Sequence, residues 1–360
     1  MALIAIQDAS AHLGVERGAL TVRRGTNVIQ TLPLQDVTEV HLFGPVGVSP
    51  TARILLMKSG VDCLMFDGHG RYLGRLLSAS SSNAARRLAQ YRFMSEPERA
   101  LAFARSVVTG KLRNQRSLVR RIQRDRNADV LIAALSSIRK TVRRAAEAPS
   151  VESLRGYEGY GTLMYFRAIR AAIRNPAFTF TGRNRRPPRD PINACLSFGY
   201  TVLLQRVESA IRRAGLDPYV GALHETGRGK PSLALDVVEE LRPIVVDRMV
   251  LRLVNRRQLT PTDFEKPDLS PQPLSKPLES DGENATDGQD ENADGRPAVY
   301  LGRTGRGIFL REWANLWRKR YHYAPRQARF SLGDIVDFQA QQMSRVIERE
   351  DLDYQPLIMD

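Results

Sequence analysis

The sequence predicts an α+β protein in which a small N-terminal β-rich domain precedes a larger all-α domain. Three observations carry this expectation. Residues 3 to 77 break into short strand-like runs separated by Gly, Pro, Asp and Ser; after ASSSNAA the pattern lengthens to helical spacing; and that spacing continues to residue 256.

Taken in order, LIAIQD, GALTVRRG, NVIQTLPL, VTEVHLFG, VDCLMFD and RYLGRLL are the expected strands. Between two of them SPTARILLMKSG reads as a helix, with Ser49 as N-cap and Pro50 at its first position. This gives a β-rich domain over residues 1–80. Residues 86 to 144 hold sixteen Lys or Arg against four acids, Glu96, Glu98, Asp125 and Asp129. Leu112, Val119 and Ile122 recur among the arginines at helical spacing, so the segment is an amphipathic helical region with a basic face. That face is either merely solvated or a nucleic-acid contact, and one-signed charge favours the second.

Three helical stretches follow, beginning at YEGYGTLMYF, DPINACLSFG and SLALDVVEEL. Asp190 and Pro191 form an N-cap and first-turn pair, and Gly215 a C-terminal stop. The proline-stiffened loop TGRNRRPPRDP carries Arg183, Arg185, Arg186 and Arg189, a set able to grip phosphates. The helical domain is thus expected over 81–264. Residues 265–297, with nine acids and almost no large apolar side chain, read as a flexible acidic linker. A tail over 298–360, including REWANLWRKRYHY and LGDIVDFQAQQMSRVIER, is expected to pack on the helical domain.

The net charge of +15 calls for a polyanionic partner, with nucleic acid ahead of an anionic membrane surface. No window approaches the roughly 18 consecutive apolar residues of a spanning helix, and the first fifteen residues lack the flanks of a signal peptide. Two cysteines, Cys63 and Cys195, give neither a disulfide framework nor a zinc pattern, which fits a reducing cytoplasm and leaves N and O ligands for any metal. No GxxxxGK[ST], HExxH or GxSxG element supports a nucleotide hydrolase, zinc protease or serine hydrolase.

GALHETGRGKPSLALDVVEELRP places His224 ahead of Asp236, Glu239 and Glu240. Asp236 and Glu239 lie three apart on a predicted helix and share a face, while the turn TGRGKP folds the imidazole back beside it. Leu235, Val238, Leu241 and Val245 cover another side, leaving the acids for a cleft. Glu158, in GYEGYG at an expected helix start, is the third carboxylate candidate. Such a set suits Mg²⁺ or Mn²⁺. Two bland alternatives stand beside it: a capping histidine, and a glutamate placed at the positive end of a helix dipole.

Three segments, YEGYGTLMYF, RPPRDPINACLSFGYTVLL and GALHETGRGKPSLALDVVEELRPIVVDR, resemble in order and spacing the CRISPR-associated spacer integrase, the universal subunit of CRISPR adaptation. The resemblance implies that the helical domain is catalytic and the β domain dimerises. It assigns Glu158, His224 and Glu239 as metal ligands and catalytic residues, where relatives often carry aspartate at the last position. Asp236 becomes a supporting acid or the ligand of a second ion, and Arg242 a phosphate contact near the site. The acidic linker departs from the family pattern. The implied reaction is metal-dependent transesterification, in which the 3′-hydroxyl of a short duplex attacks a phosphodiester of the repeat. The implied partners are double-stranded DNA, a second copy of the chain and a small ferredoxin-like protein of CRISPR adaptation, with an end-processing nuclease left open and no membrane. Two other readings are a metal-dependent structure-specific endonuclease and a catalytically silent DNA-architectural subunit.

Overall fold

Alternating apolar side chains fold the first 77 residues as their spacing predicts, into strands β1 (Ala2–Ile6), β2 (Ala11–Glu16), β3 (Ala19–Arg24), β4 (Asn27–Pro33), β5 (Val37–Phe43), β6 (Gly47–Val48), β7 (Asp62–Phe66) and β8 (Tyr72–Leu76). The structure, a computed structural model, describes residues 2–77, 83–126, 128–184, 187–266, 297–349 and 353–358. Two four-stranded sheets form, in the orders β4-β3-β2-β6 and β1-β5-β7-β8. In the second, β1, β5 and β7 run parallel and β8 antiparallel. Ile4, Ile6, Leu13, Leu20, Val40, Leu42 and Leu56 fill the shared core, to which helix α1 (Pro50–Ser59) contributes Leu56. Ser49 caps α1 as expected, its hydroxyl accepting from the Ala52 N–H. Strand β2 escaped the sequence reading because Gly14 interrupts its apolar pattern. In the sheet that glycine faces Thr21, whose hydroxyl would lie 3.2 Å from an added Cβ.

Contacts divide the chain into two units, and the tail divides with them. Met1–Ser81, Asp263–Glu265 and Tyr300–Leu332 form the strand-rich unit; Ser82–Thr262, Lys266–Val299 and Gly333–Asp360 form the helical one. The whole tail was expected on the helical domain, but its first part joins the strand-rich unit. There β9 (Phe264–Glu265) pairs with β10 (Tyr300–Leu301), and α9 (Arg303–Arg318) buries Phe309, Leu310 and Trp313 before the hairpin of β11 (Arg320–Tyr323) and β12 (Ala328–Ser331). The expected acidic linker, apart from its ends, lies outside the described residues.

The helical unit contains α2 (Ala84–Ser95), α3 (Pro97–Asp125), α4 (Asp129–Ala146), α5 (Val151–Ala172), α6 (Pro191–Arg213), α7 (Ser232–Arg242), α8 (Arg248–Asn255) and nearly all of α10 (Leu332–Glu348). Side-chain caps start three of these helices: Asn83, Ser150 and Asp190 accept from the N–H groups of Arg86, Ser153 and Asn193. Between α7 and α8 the chain widens into one π-helical turn, Pro243–Asp247. Pro243 has no N–H to offer the preceding turn, so the helical ladder is interrupted there and re-forms one residue wider. Every residue of α7 is buried, which makes it the central rod of the unit.

Candidate metal and phosphodiester site

Glu158 sits two turns inside α5, which begins at Val151, and not at a helix start. Its position therefore owes nothing to a helix dipole, whose effect fades within the first turn. Among the glycines around it, Gly161 is a point of close approach between helices, since a Cβ there would lie 2.4 Å from Leu112 Cδ2 of α3. The acids of α7 also differ from expectation. They do not face an open cleft, for Asp236 and Glu240 are fully buried and Glu239 is 2% exposed.

A cation that the sequence reading missed holds the carboxylates. The Lys111 ammonium, from α3, hydrogen-bonds Glu158 Oε1 and lies 2.5 Å from Glu239 Oε2. Thr162 donates to the same Glu158 oxygen at 2.9 Å, and Gln115 donates to Thr162 at 3.2 Å. Arg242 Nη1 stands 2.9 Å from Glu239 Oε1, with its guanidinium 4.7 Å from the Tyr200 ring centre. Burial works against the charge of Glu239, but Arg242, Lys111 and His224 outweigh it and hold the carboxyl well below its usual range. The signal for Lys111 was present: it follows Val107 and precedes Gln115 by four, so a charged side chain occupies the apolar stripe of an amphipathic helix.

His224 is fixed from below. Asp236 accepts its backbone N–H at 3.0 Å and its Nδ1 at 2.7 Å, and also takes the N–H groups of Ala222 and Leu223 at 2.7 and 3.0 Å. With Nδ1 paired to Asp236, the ring turns Nε2 toward Glu239, 3.9 Å from its Oε1. Asp236 is thereby used up as a support; both its oxygens are already bonded. Arg155 clamps the same loop through the Leu223 carbonyl, at 2.7 and 3.0 Å. Gly221 permits the arrangement, because a Cβ there would meet Asp236 Oδ2 at 2.6 Å and the Leu233 nitrogen at 2.7 Å. His224 lines a cleft of about 560 Å³ with Tyr91, Arg155 and Glu225.

Behind the site, Tyr165 and Tyr200 donate to Asp247 at 2.6 and 2.5 Å. Burial lifts Asp247 to about 6 despite those two bonds and the nearby arginines. Glu240 points the other way along α7, accepting from Gln339, Tyr354 and the Leu357 N–H, each at 3.0 Å. Of the loop arginines, Arg183 bonds Asn193 and Ser197 at 2.9 and 3.1 Å, and the backbone N–H of Arg189 bonds Asn184. Arg185 and Arg186 lie outside the described residues.

Among the described residues, no group of three or more His, Cys, Asp or Glu side chains is arranged so that it could hold a metal ion. The donor set nonetheless fits a hard divalent ion: two carboxylates converge on one buried positive charge, and an imidazole nitrogen faces one of them.

A strand-rich unit joined to a helical unit that carries this cluster is a fold shared with solved proteins. A casposase solved bound to integration product aligns over 100% of this chain and 95% of its own with a TM-score of 0.79 and 21% identity. A Cas1 protein from Thermotoga maritima aligns over 98% and 99% with a TM-score of 0.76 and 23% identity. In sequence, a CRISPR-associated endonuclease Cas1 of Rhodospirillum rubrum is 40% identical over 247 residues, covering 66% of this chain and 71% of that one. The family described as CRISPR associated protein Cas1 matches residues 4–275, and the chain belongs to that family.

Proposed function

We propose that this chain is a metal-dependent DNA integrase of CRISPR adaptation, and that Glu158, Glu239 and His224 hold its Mg²⁺ or Mn²⁺. The observation that carries the reading is the convergence of Glu158 and Glu239 on a single buried cation, beside an imidazole held by Asp236 with its Nε2 toward Glu239. When bound there, a divalent ion would supply Lewis-acid polarisation of a phosphate and a lowered pKa for a hydroxyl. The chain itself orients and neutralises. Asp236 fixes the orientation of the imidazole, Arg242 offsets negative charge beside Glu239, and burial keeps bulk water from Glu239. In the reaction a DNA 3′-oxygen forms a bond to the repeat phosphorus, the old P–O3′ bond breaks, and the departing 3′-oxygen takes up a proton, so no covalent protein intermediate arises.

The basic helices would bind phosphates without reading bases. Arg113, Arg116, Arg120, Arg139 and Arg143 of α3 and α4 line a groove of about 290 Å³ that suits a duplex backbone. We assign the dimer contact to the strand-rich unit, where Val28, Ile29 and Leu73 are exposed, and expect the small ferredoxin-like partner to complete the complex. No helix among the described residues is long and apolar enough to cross a membrane, and the two cysteines, both buried, form no disulfide; a cytoplasmic location is the reading we adopt.

The test is strand transfer of a labelled short duplex into a supercoiled plasmid carrying a repeat, with the small partner and Mn²⁺. Wild type should give joined product, and His224→Ala, Glu158→Gln and Glu239→Gln should abolish it with DNA binding retained. Cleavage without joining would move the assignment to an endonuclease. Binding with no chemistry in wild type would favour an architectural subunit.

A further inference from the structure

We propose that Lys111 is a resident counter-cation, which holds the two site carboxylates together in the metal-free protein and competes with the divalent ion for the space between them. Its ammonium touches both Glu158 and Glu239, and Lys111 is itself 5% exposed. A buried carboxylate, Glu239, and a part-buried one, Glu158, facing each other with no positive charge between them would repel strongly. The lysine removes that penalty, and it does so from the position that the two oxygens would share with a metal.

Nothing else on α3 explains a lysine there. Its neighbours on the same helix, Val107, Val108 and Leu112, are fully buried apolar side chains, and Asn114 is tied to the carbonyls of Glu240 and Leu357. An ammonium on a flexible four-carbon stem is suited to the task, since it satisfies the acids yet can withdraw along its own chain, whereas a planar guanidinium would lock them in a fork. The protein thus folds without metal, and the ion enters by exchange of one positive charge for another.

This rests on the proposed metal site, so the experiment reads the two ideas apart. Mn²⁺ affinity is measured by calorimetry on the full chain for wild type, Lys111→Gln, Lys111→Arg and His224→Ala, each purified in Mn²⁺ and titrated with a chelator so that no stable metal-free form is needed. If the lysine-withdrawn form makes up about one molecule in ten, removing the ammonium tightens Mn²⁺ about tenfold. Lys111→Gln should therefore bind more tightly than wild type, and Lys111→Arg should not. Amine labelling followed by mass spectrometry should show Lys111 modified faster with Mn²⁺ than with EDTA. Unchanged or weaker affinity in Lys111→Gln, or a labelling rate that ignores Mn²⁺, overturns the role of Lys111 while loss of binding in His224→Ala leaves the site standing. Wild type that binds no Mn²⁺ overturns both.

Discussion

Asp236 holds four hydrogen bonds with two oxygens, and through them sets both the course of the loop and the orientation of the His224 ring. Asp236→Asn would turn an amide N–H₂ toward backbone N–H donors and remove the charge that orients the ring. We expect strand transfer to fall by roughly 10- to 100-fold with DNA binding kept, and stability to fall by about 1–3 kcal/mol, read by product yield and thermal melting. The sequence made the pairing of His224 with this acid legible, because the spacing across TGRGKP returns the chain to the helix face. It did not separate support from ligand, since Asp236 and Glu239 share a face and only the count of donors around each tells them apart. Lys111 was hidden for a related reason: among sixteen basic residues in one segment, the one that turns inward carries no local mark beyond its neighbours' pattern.

At the level of elements, close approach governs where the ligands stand. Gly221→Ala would drive a methyl group into the Asp236 carboxylate and into the backbone at Ser232 and Leu233, which cannot swing aside. The expected result is a loss of about 1–3 kcal/mol in stability, with strand transfer more impaired than melting alone accounts for. The π-helical turn supplies a second prediction. Burial disfavours the charge of Asp247 and pushes its carboxyl up from the ordinary 3.8 to about 6 in the folded protein. A folded pKa raised in this way gives stability that is fully present below about 4 and lost as pH rises through 6. At 1.36 kcal/mol for each pH unit, the group withdraws about 3 kcal/mol across that window. Denaturant unfolding of wild type and Asp247→Asn should therefore show the difference shifting in favour of the variant between pH 4 and 6, and holding level above. The helices themselves were legible from period and caps, as at Ser49 and Asp190; the start of α5 was expected near Glu158, two turns beyond its start at Val151, which Ser150 caps.

For the whole molecule, the charge of +15 is concentrated along α2, α3 and α4, so DNA affinity should fall steeply with salt. Replacing Arg113 and Arg139 with Ala should weaken binding alike across DNA sequences and lower the salt slope by about 2, measured by fluorescence anisotropy over a salt series. The division into strand-rich and helical parts was readable from composition and period. The division of the tail was not, since α9 and α10 have similar amphipathic patterns and differ only in which partners they meet.

The long reach of Glu240 has a consequence for synthesis. Its three donors, Gln339, Tyr354 and the Leu357 N–H, emerge from the ribosome some hundred residues after it does. Until they arrive, an acid in the middle of the central rod has no bonding partner from the tail, and the helix that carries Glu239 has nothing to seat against on that side. We therefore expect a nascent chain to display its basic helices before α7 gains the tail contacts of Glu240, so that on the proposed function DNA binding would precede catalysis.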